Sequence, residues 1–352
     1  MLAEVIVPIK KLWIDHDFTY RDPEEEKFPM PGSIVEVPFR SSRRSGWVIE
    51  LHRPGEKERK NLKSIGKVIW NASGVDRPLL ALARRLRDYY SCLWAEALNT
   101  VFPLSLLVPG KGKKDECLGI IDEPAAIEFI NGKKAPKQKE LLTYLLEIGA
   151  CQNVSDLKDA GFPGRVINSL KEKSIIGIVE RTFEDYVPTQ LMLFEPGREL
   201  EIPSALFDAV IDGRAHAFTW RFSRESYCDQ LYRAIFQEVI NRGKGGILLF
   251  PERKLVDSRI EFYREKLGDH LLIWDPSLPR RECFRIREEL THHSDRVIIG
   301  TRSAVFLPLI RPGIIIVHQE EDPLYKQQNA PRYHARQVGI MRASMENFPV
   351  LL

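Results

Sequence analysis

Arg296-Val297-Ile298-Ile299-Gly300 and Ile314-Ile315-Ile316-Val317 carry nothing polar inside their apolar runs, and each ends abruptly in residues of another kind, Thr301-Arg302-Ser303 and His318-Gln319-Glu320-Glu321. Runs that are apolar on both faces mark strands covered on two sides, as in a parallel sheet layered between helices. Two more lie upstream: Gly246-Ile247-Leu248-Leu249-Phe250, closed by Pro251, and Leu271-Leu272-Ile273-Trp274. Between them, Leu255 to Leu267 repeats its apolar residues at helical spacing. The alternation of strand and helix over residues 200–352 predicts a doubly wound α/β lobe. Phe348-Pro349-Val350-Leu351-Leu352 reads as a further buried strand at the end of the sequence, so the lobe is expected to be incomplete, in a natural truncation, a fragment or a prematurely ended reading frame.

Working outward, a chain of 352 residues exceeds one compact core and predicts a multidomain protein. The 52 Lys and Arg against 49 Asp and Glu leave a formal charge of +3, so any basic surface is local. A hydrophobic content of 43% with 29% charged residues excludes wholesale disorder. No apolar run reaches the roughly 18–20 residues of a membrane span, and Met1-Leu2-Ala3-Glu4 is no start for a signal peptide; a cytoplasmic protein with no membrane partner is expected. Cys92, Cys117, Cys151, Cys228 and Cys283 are scattered and never form a C-x-x-C pair, which indicates neither a disulfide framework nor a zinc site.

Before the lobe, residues 136–190 predict three short helices and a β-wing. Leu141, Leu142, Leu145, Leu146 and Ile148 form one stripe, Asn153-Val154-Ser155-Asp156-Leu157 restarts a helix that Gly161 closes, and a third helix runs from Gly164 to Lys173 into Ile175-Ile176-Gly177-Ile178. That order fits a winged helix, whose third helix offers Arg165, Lys171 and Lys173; such modules dock on DNA or on protein. The Gly- and Lys-rich stretch from Pro109 to Glu116 opens a linker assigned to residues 108–135. Residues 1–107 read as β-rich, with strands at Val5-Ile6-Val7 and Ile34-Val35-Glu36-Val37. The segment Arg40-Ser41-Ser42-Arg43-Arg44-Ser45-Gly46 is expected to be the tip of a hairpin resuming at Trp47, either a basic patch or a solvated loop. Asp76 is placed to cap a helix whose core face holds Leu79, Leu82, Leu86 and Tyr89.

Val297-Ile298-Ile299-Gly300-Thr301-Arg302-Ser303-Ala304-Val305-Phe306, Tyr325-Lys326-Gln327-Gln328 and Arg332-Tyr333-His334-Ala335-Arg336 together resemble the first motor lobe of the PriA family of replication-restart helicases, of superfamily two. Phe18-Thr19-Tyr20, Val37-Pro38-Phe39 and Asp88-Tyr89-Tyr90, in the family's order, extend the resemblance over the whole chain. It implies a 3′-end DNA-binding domain, a winged helix and a RecA-like lobe 1, with DNA forks and 3′ ends as partners, replication-restart or single-strand-binding proteins beside them, and association with the nucleoid. The family's 3′-end pocket is matched by Phe18 and Lys63, while Thr19 stands where the family has an aspartate and Arg40 where it has a glycine; Arg43 and Arg44 join Arg40 on the hairpin. The resemblance therefore implies DNA binding with a weakened preference for a free 3′-hydroxyl. Arg302, Tyr325, Lys326, Arg332 and Arg336 are the lobe's candidates for DNA contact, or else hold the lobe together.

The departures fall on the nucleotide site. Where the family wraps phosphate with glycines, a lysine and a threonine, this chain has Trp220, Phe222, Ser223 and Arg224. His318 replaces the metal-binding aspartate and Gln319 the catalytic glutamate. A degenerate lobe without ATPase or helicase activity, holding no nucleotide, magnesium or zinc, is expected; the alternative is a fragment of an ATP-dependent 3′–5′ DNA helicase of replication restart.

Overall fold

The computed structural model describes residues 1–9, 15–21, 29–53, 62–107, 117–132, 135–148, 152–153, 157, 161–178, 203–221 and 225–352. Five N-terminal strands, β1 (Leu2–Ile6), β2 (Phe18–Arg21), β3 (Ile34–Phe39), β4 (Ser42–His52) and β5 (Lys67–Trp70), form one antiparallel sheet in the order β2-β1-β4-β3-β5. Its two outer edges meet. The Arg21 N–H donates to the Lys63 carbonyl at 2.9 Å and the Ile65 N–H to the Arg21 carbonyl at 2.9 Å, which closes the sheet into a small barrel. Strand alternation fills the interior with Ala3, Val5, Tyr20, Val35, Val37 and Val48, and turns Ile6, Ile34 and Trp47 outward. Against that outer face lie three helices, α1 (Arg77–Tyr90), α2 (Trp94–Val101) and α3 (Leu104–Leu107), and the Trp47 indole donates to the Phe102 carbonyl at 2.9 Å.

Two expectations change here. The hairpin tip is only Arg40-Ser41, because Phe39 pairs with Ser42 and the ladder continues through Arg43 and Arg44. Leu79, Leu82 and Leu86 are buried as their spacing predicts, but Tyr89, on the last turn of α1, is 53% exposed.

The residues assigned to a linker are structured wherever they are described. Cys117–Ile120 is a strand (β6) and Glu123–Asn131 a helix (α4) capped by the Asp122 carboxylate, which accepts from the Ala125 N–H at 2.9 Å. β6 lies between two further strands, Gln152–Asn153 (β7) and Ile176–Ile178 (β8). Ala126 and Leu118 share a core with Leu141, Leu142 and Leu145 of α5 (Pro136–Ile148) and Val166, Ile167 and Leu170 of α6 (Gly164–Glu172). The unit therefore begins at least at Cys117, because its central strand and one helix lie there. Residues 108–116 and 179–202 are outside the described residues.

The last unit is a six-stranded, all-parallel sheet of β9 (Ala217–Phe218), β10 (Gly245–Leu249), β11 (Leu271–Trp274), β12 (Val297–Gly300), β13 (Pro312–Val317) and β14 (Val350–Leu351), in the order β11-β12-β10-β13-β14-β9. It is the RecA-like arrangement expected. Helices α7 (Ser204–Asp212), α8 (Glu225–Asn241) and α9 (Arg253–Leu267) supply the core on one face; α10 (Arg280–His292) and α11 (Ala335–Glu346) supply the other. That second core is continuous with the barrel's helices: Leu79, Leu98 and Leu107 belong to the same cluster as Ile286, Val338 and Phe306. Across this junction Arg287 donates to the buried Asp76 carboxylate at 2.8 Å and lies 5.5 Å from the Trp70 ring centroid. Asp76 holds the N-cap position of α1 as expected, but its side chain makes no hydrogen bond to that helix; its second oxygen accepts from the Ser73 N–H and hydroxyl at 2.9 and 3.0 Å. Among the described residues no helix is long and apolar enough to cross a membrane.

Candidate nucleic-acid interface and nucleotide site

At the start of β2, Phe18 packs on the barrel interior with its ring edge-on to Phe39 at 5.1 Å, and His16 lies 4.5 Å away. The Arg40 guanidinium sits 5.8 Å from the Phe39 centroid. An exposed cation thus adjoins the buried Phe39 ring and, beside it, the half-buried Phe18 ring, the components that hold a base by stacking and a phosphate by charge. Arg40 has φ 53°, a left-handed turn position that costs least for glycine.

Thr19 points to the opposite side of the strand from Phe18 and pairs across the sheet with Glu4. Its hydroxyl donates to the Glu4 carboxylate, 3.0 and 3.1 Å from the two oxygens, and His52 Nε2 lies 2.8 Å from Glu4 Oε1. In the sequence Glu4 has no evident role, and the lone His16 and His52 carry no pattern. The register that sets Glu4 opposite Thr19 and Leu2 opposite His52 brings Glu4 and His52 together.

The other candidates scatter. Lys63 is exposed on the closing segment, its carbonyl bound to the Arg21 N–H. Arg43 and Arg44 are exposed neighbours on one strand and point to opposite faces; Arg43 pairs with Glu36 at 3.1 Å. Hence no single arginine tip forms.

In the lobe, Tyr325 is fully buried, and its hydroxyl lies 2.8 Å from the Leu249 carbonyl and 2.7 Å from that of His318, so this side chain presents no surface to DNA. Burial pushes its phenol well above the usual range. Lys326 and Arg332 are exposed, the former 5.6 Å from the Tyr90 ring centroid, while the Tyr90 hydroxyl accepts from the His334 N–H at 3.2 Å. Arg302 donates to the Leu324 carbonyl at 3.1 Å, and Arg336 pairs with Glu320. The two Tyr90 contacts bind the loop to α1, the Arg302 and Arg336 contacts lie within the lobe, and Lys326 and Arg332 keep a solvent face.

Ser223 and Arg224 lie outside the described residues; Trp220 before them is exposed. His318 directly follows β13 and is only 3% exposed. Its ring sits edge-on between Phe250 and Tyr232, with centroids at 5.1 and 5.9 Å, and Nδ1 lies 3.3 Å from the Tyr232 hydroxyl. Burial, with Arg259 nearby, pushes the imidazole down to about 4, so it is neutral at pH 7. Beside it the buried Asp229 accepts from Arg259 at 3.0 Å and from the Tyr263 hydroxyl at 2.7 Å. Magnesium takes oxygen ligands in an octahedron. A neutral, ring-packed imidazole at the strand end does not fit that ion. Glu320 is engaged by Arg336, and Asp322 accepts from the Leu324 N–H at 2.8 Å.

Comparison with known proteins places residues 4–103 in the family described as the PriA 3′DNA-binding domain (3′BD). Over its whole length the chain is 33% identical to the replication restart protein PriA of Chlamydia trachomatis serovar D and 26% identical to that of Chlamydia pneumoniae, covering 48% of each. It is 26% identical to PriA of Bacillus subtilis over 62% of this chain and 28% of that one. The chain spans about half the length, or less, of these relatives.

Proposed function

The chain belongs to the PriA family, and on that premise we propose that it is a DNA-binding protein of replication restart or repair that engages forks and 3′ ends through the N-terminal barrel without hydrolysing ATP. The observation that carries the DNA reading is the barrel, within the family match over residues 4–103, with Phe18, Phe39 and Arg40 in one contact chain. Phe18 offers a face to a terminal base and Arg40 a charge to the adjoining phosphate. Lys326 and Arg332 extend the cationic surface on the lobe side. The winged-helix unit, with Arg165 exposed, is the docking surface for DNA or for replication-restart and single-strand-binding proteins.

Supporting the absence of hydrolysis is His318, a buried neutral imidazole where the resemblance calls for a magnesium-binding carboxylate. The lobe then acts as the fixed base on which the barrel is mounted, and needs no nucleotide, magnesium or zinc.

The test uses the full chain. Fluorescence anisotropy with a forked DNA, repeated across salt concentrations, should show binding that weakens as salt rises. Phosphate release in the presence of that fork and magnesium–ATP should stay at the buffer rate. Binding without salt dependence rejects the DNA interface, and DNA-stimulated turnover rejects the inactive lobe and restores the reading as part of an ATP-dependent helicase.

A further inference from the structure

Two isoleucines of the middle unit are turned to solvent. Ile121, directly after β6, is 54% exposed, and Ile127 on α4 is 48% exposed. Ile121 is held in place: its N–H donates to the Ile175 carbonyl at 3.0 Å, and its side chain lies against β8, where a Cβ added at Gly177 would meet Cδ1 at 3.0 Å. On α4 the exposed positions are Glu123, Pro124, Ile127, Glu128 and Asn131, spaced as one helical face. Residues 117–132 contain Asp122, Glu123 and Glu128 and no lysine or arginine. Asp122 caps α4, and Glu123 in the first turn suits the helix dipole. Neither role accounts for Glu128, which lies mid-helix with no ion pair among the described residues, or for the two isoleucines.

Apolar side chains set among carboxylates specify what can cover them. The carboxylates repel phosphate, so this face does not track a nucleic-acid backbone. The cations near α4 sit at its other end: Lys139 donates to the Gly132 carbonyl, and Lys173 lies 4.3 Å from the Phe129 ring centroid. A segment that covers both isoleucines must bring apolar anchors and positive charge together, as an amphipathic helix rich in lysine or arginine does. We infer that this face docks a basic, amphipathic segment of a partner protein, with its apolar side chains on Ile121 and Ile127 and its cations on Glu123 and Glu128. This rests on the docking role proposed for the middle unit and names the partner's chemistry.

The experiment uses the full chain and three fluorescent peptides: a helix with a leucine stripe between rows of lysine, the same helix with glutamate for lysine, and the first composition shuffled so that the stripe is lost. The first should bind, more weakly as salt rises, and the other two at least about tenfold less tightly. Carbodiimide should couple the peptide's lysines to Glu123 and Glu128. Ile121→Ser and Ile127→Ser should each weaken binding about fivefold or more. Glu128→Gln, at an exposed position, should lower both the affinity and its salt dependence. If the lysine and glutamate peptides bind alike, if none binds, or if Ile127→Ser binds as the unmodified chain does, the assignment is overturned. Coupling at other carboxylates would move the docking site off α4. Sedimentation that shows the chain associating with itself, reversed by Ile127→Ser, would make the occupant a second copy and overturn the basic partner. The parent reading is tested apart from this face, by Arg165→Ala: it falls with the inference only if that change also leaves fork binding and peptide binding as they were.

Discussion

His318 shows how far a single residue could be read in advance. Its identity at the end of an apolar strand was visible in the sequence, and so was its conflict with magnesium chemistry. Its surroundings were not, because Tyr232 and Phe250 come from α8 and from the end of β10, and only the sheet order brings them together. The consequence is a pH dependence. The imidazole titrates near 6.5 when unfolded and is pushed down to about 4 in the fold, so between those values the unfolded chain takes up a proton that the folded one refuses. The stabilisation is complete above about pH 6.5 and is lost as pH falls towards 4. At about 1.4 kcal/mol per pH unit, the loss approaches roughly 3 kcal/mol. Urea denaturation at pH 7.5 and 4.5 should show a larger drop in stability for the unmodified chain than for His318→Gln, by about 2–3 kcal/mol. Equal drops would mean that the buried imidazole is not what couples stability to pH.

Elements were legible where their core pattern is continuous and failed where pairing overrides composition. The four long strands of the lobe were read correctly because runs such as Ile314-Ile315-Ile316-Val317 have no other stable place. The hairpin was recognised but its turn was not. Ser42-Arg43-Arg44-Ser45 has the composition of a loop, yet it is strand because Glu36, Val37 and Pro38 lie opposite it. Cys117–Ile120 behaves similarly: it follows a Gly- and Lys-rich run with the composition of a linker, yet its four residues form the central strand of the middle sheet. Tyr89 keeps the spacing of a core residue, but Tyr90, four residues beyond Leu86, takes the place on the core face and leaves Tyr89 turned to solvent. The corrected hairpin makes two predictions. Arg40 at φ 53° carries a strain of roughly 1–2 kcal/mol that glycine relieves, set against glycine's greater chain entropy, so Arg40→Gly should be neutral or stabilising by up to about 1 kcal/mol in thermal denaturation. The same substitution should weaken fork binding and reduce its salt slope by about one, the signature of one lost phosphate contact. Arg43→Ala, which removes an exposed pair with Glu36, should change stability by less than about 1 kcal/mol.

At the scale of the whole molecule, the outer face of the barrel, its helices and one face of the lobe share one continuous core, which no local pattern announced. Asp76 and Arg287 are 211 residues apart, and the sequence offered Asp76 only as a helix cap. The pair lies at the junction, with both side chains withdrawn from water, and burial lowers the Arg287 pKa while Asp76 opposes that effect. The two ends are not equivalent. Arg287 has Asp76 as its ion-pair partner and the Trp70 ring beside it, whereas Asp76 keeps two donors from Ser73. Removing the carboxylate leaves a buried cation without its counter-charge; removing the guanidinium leaves a carboxylate that is still hydrogen-bonded. Asp76→Ala should therefore cost about 3–5 kcal/mol, and Arg287→Leu less. The double variant Asp76→Ala/Arg287→Leu should be more stable than Asp76→Ala alone, because it no longer buries an uncompensated charge. Urea unfolding of the four chains measures this cycle. If the single changes cost the same and add in the double variant, the pair is not coupled, and the junction is held by the apolar core alone.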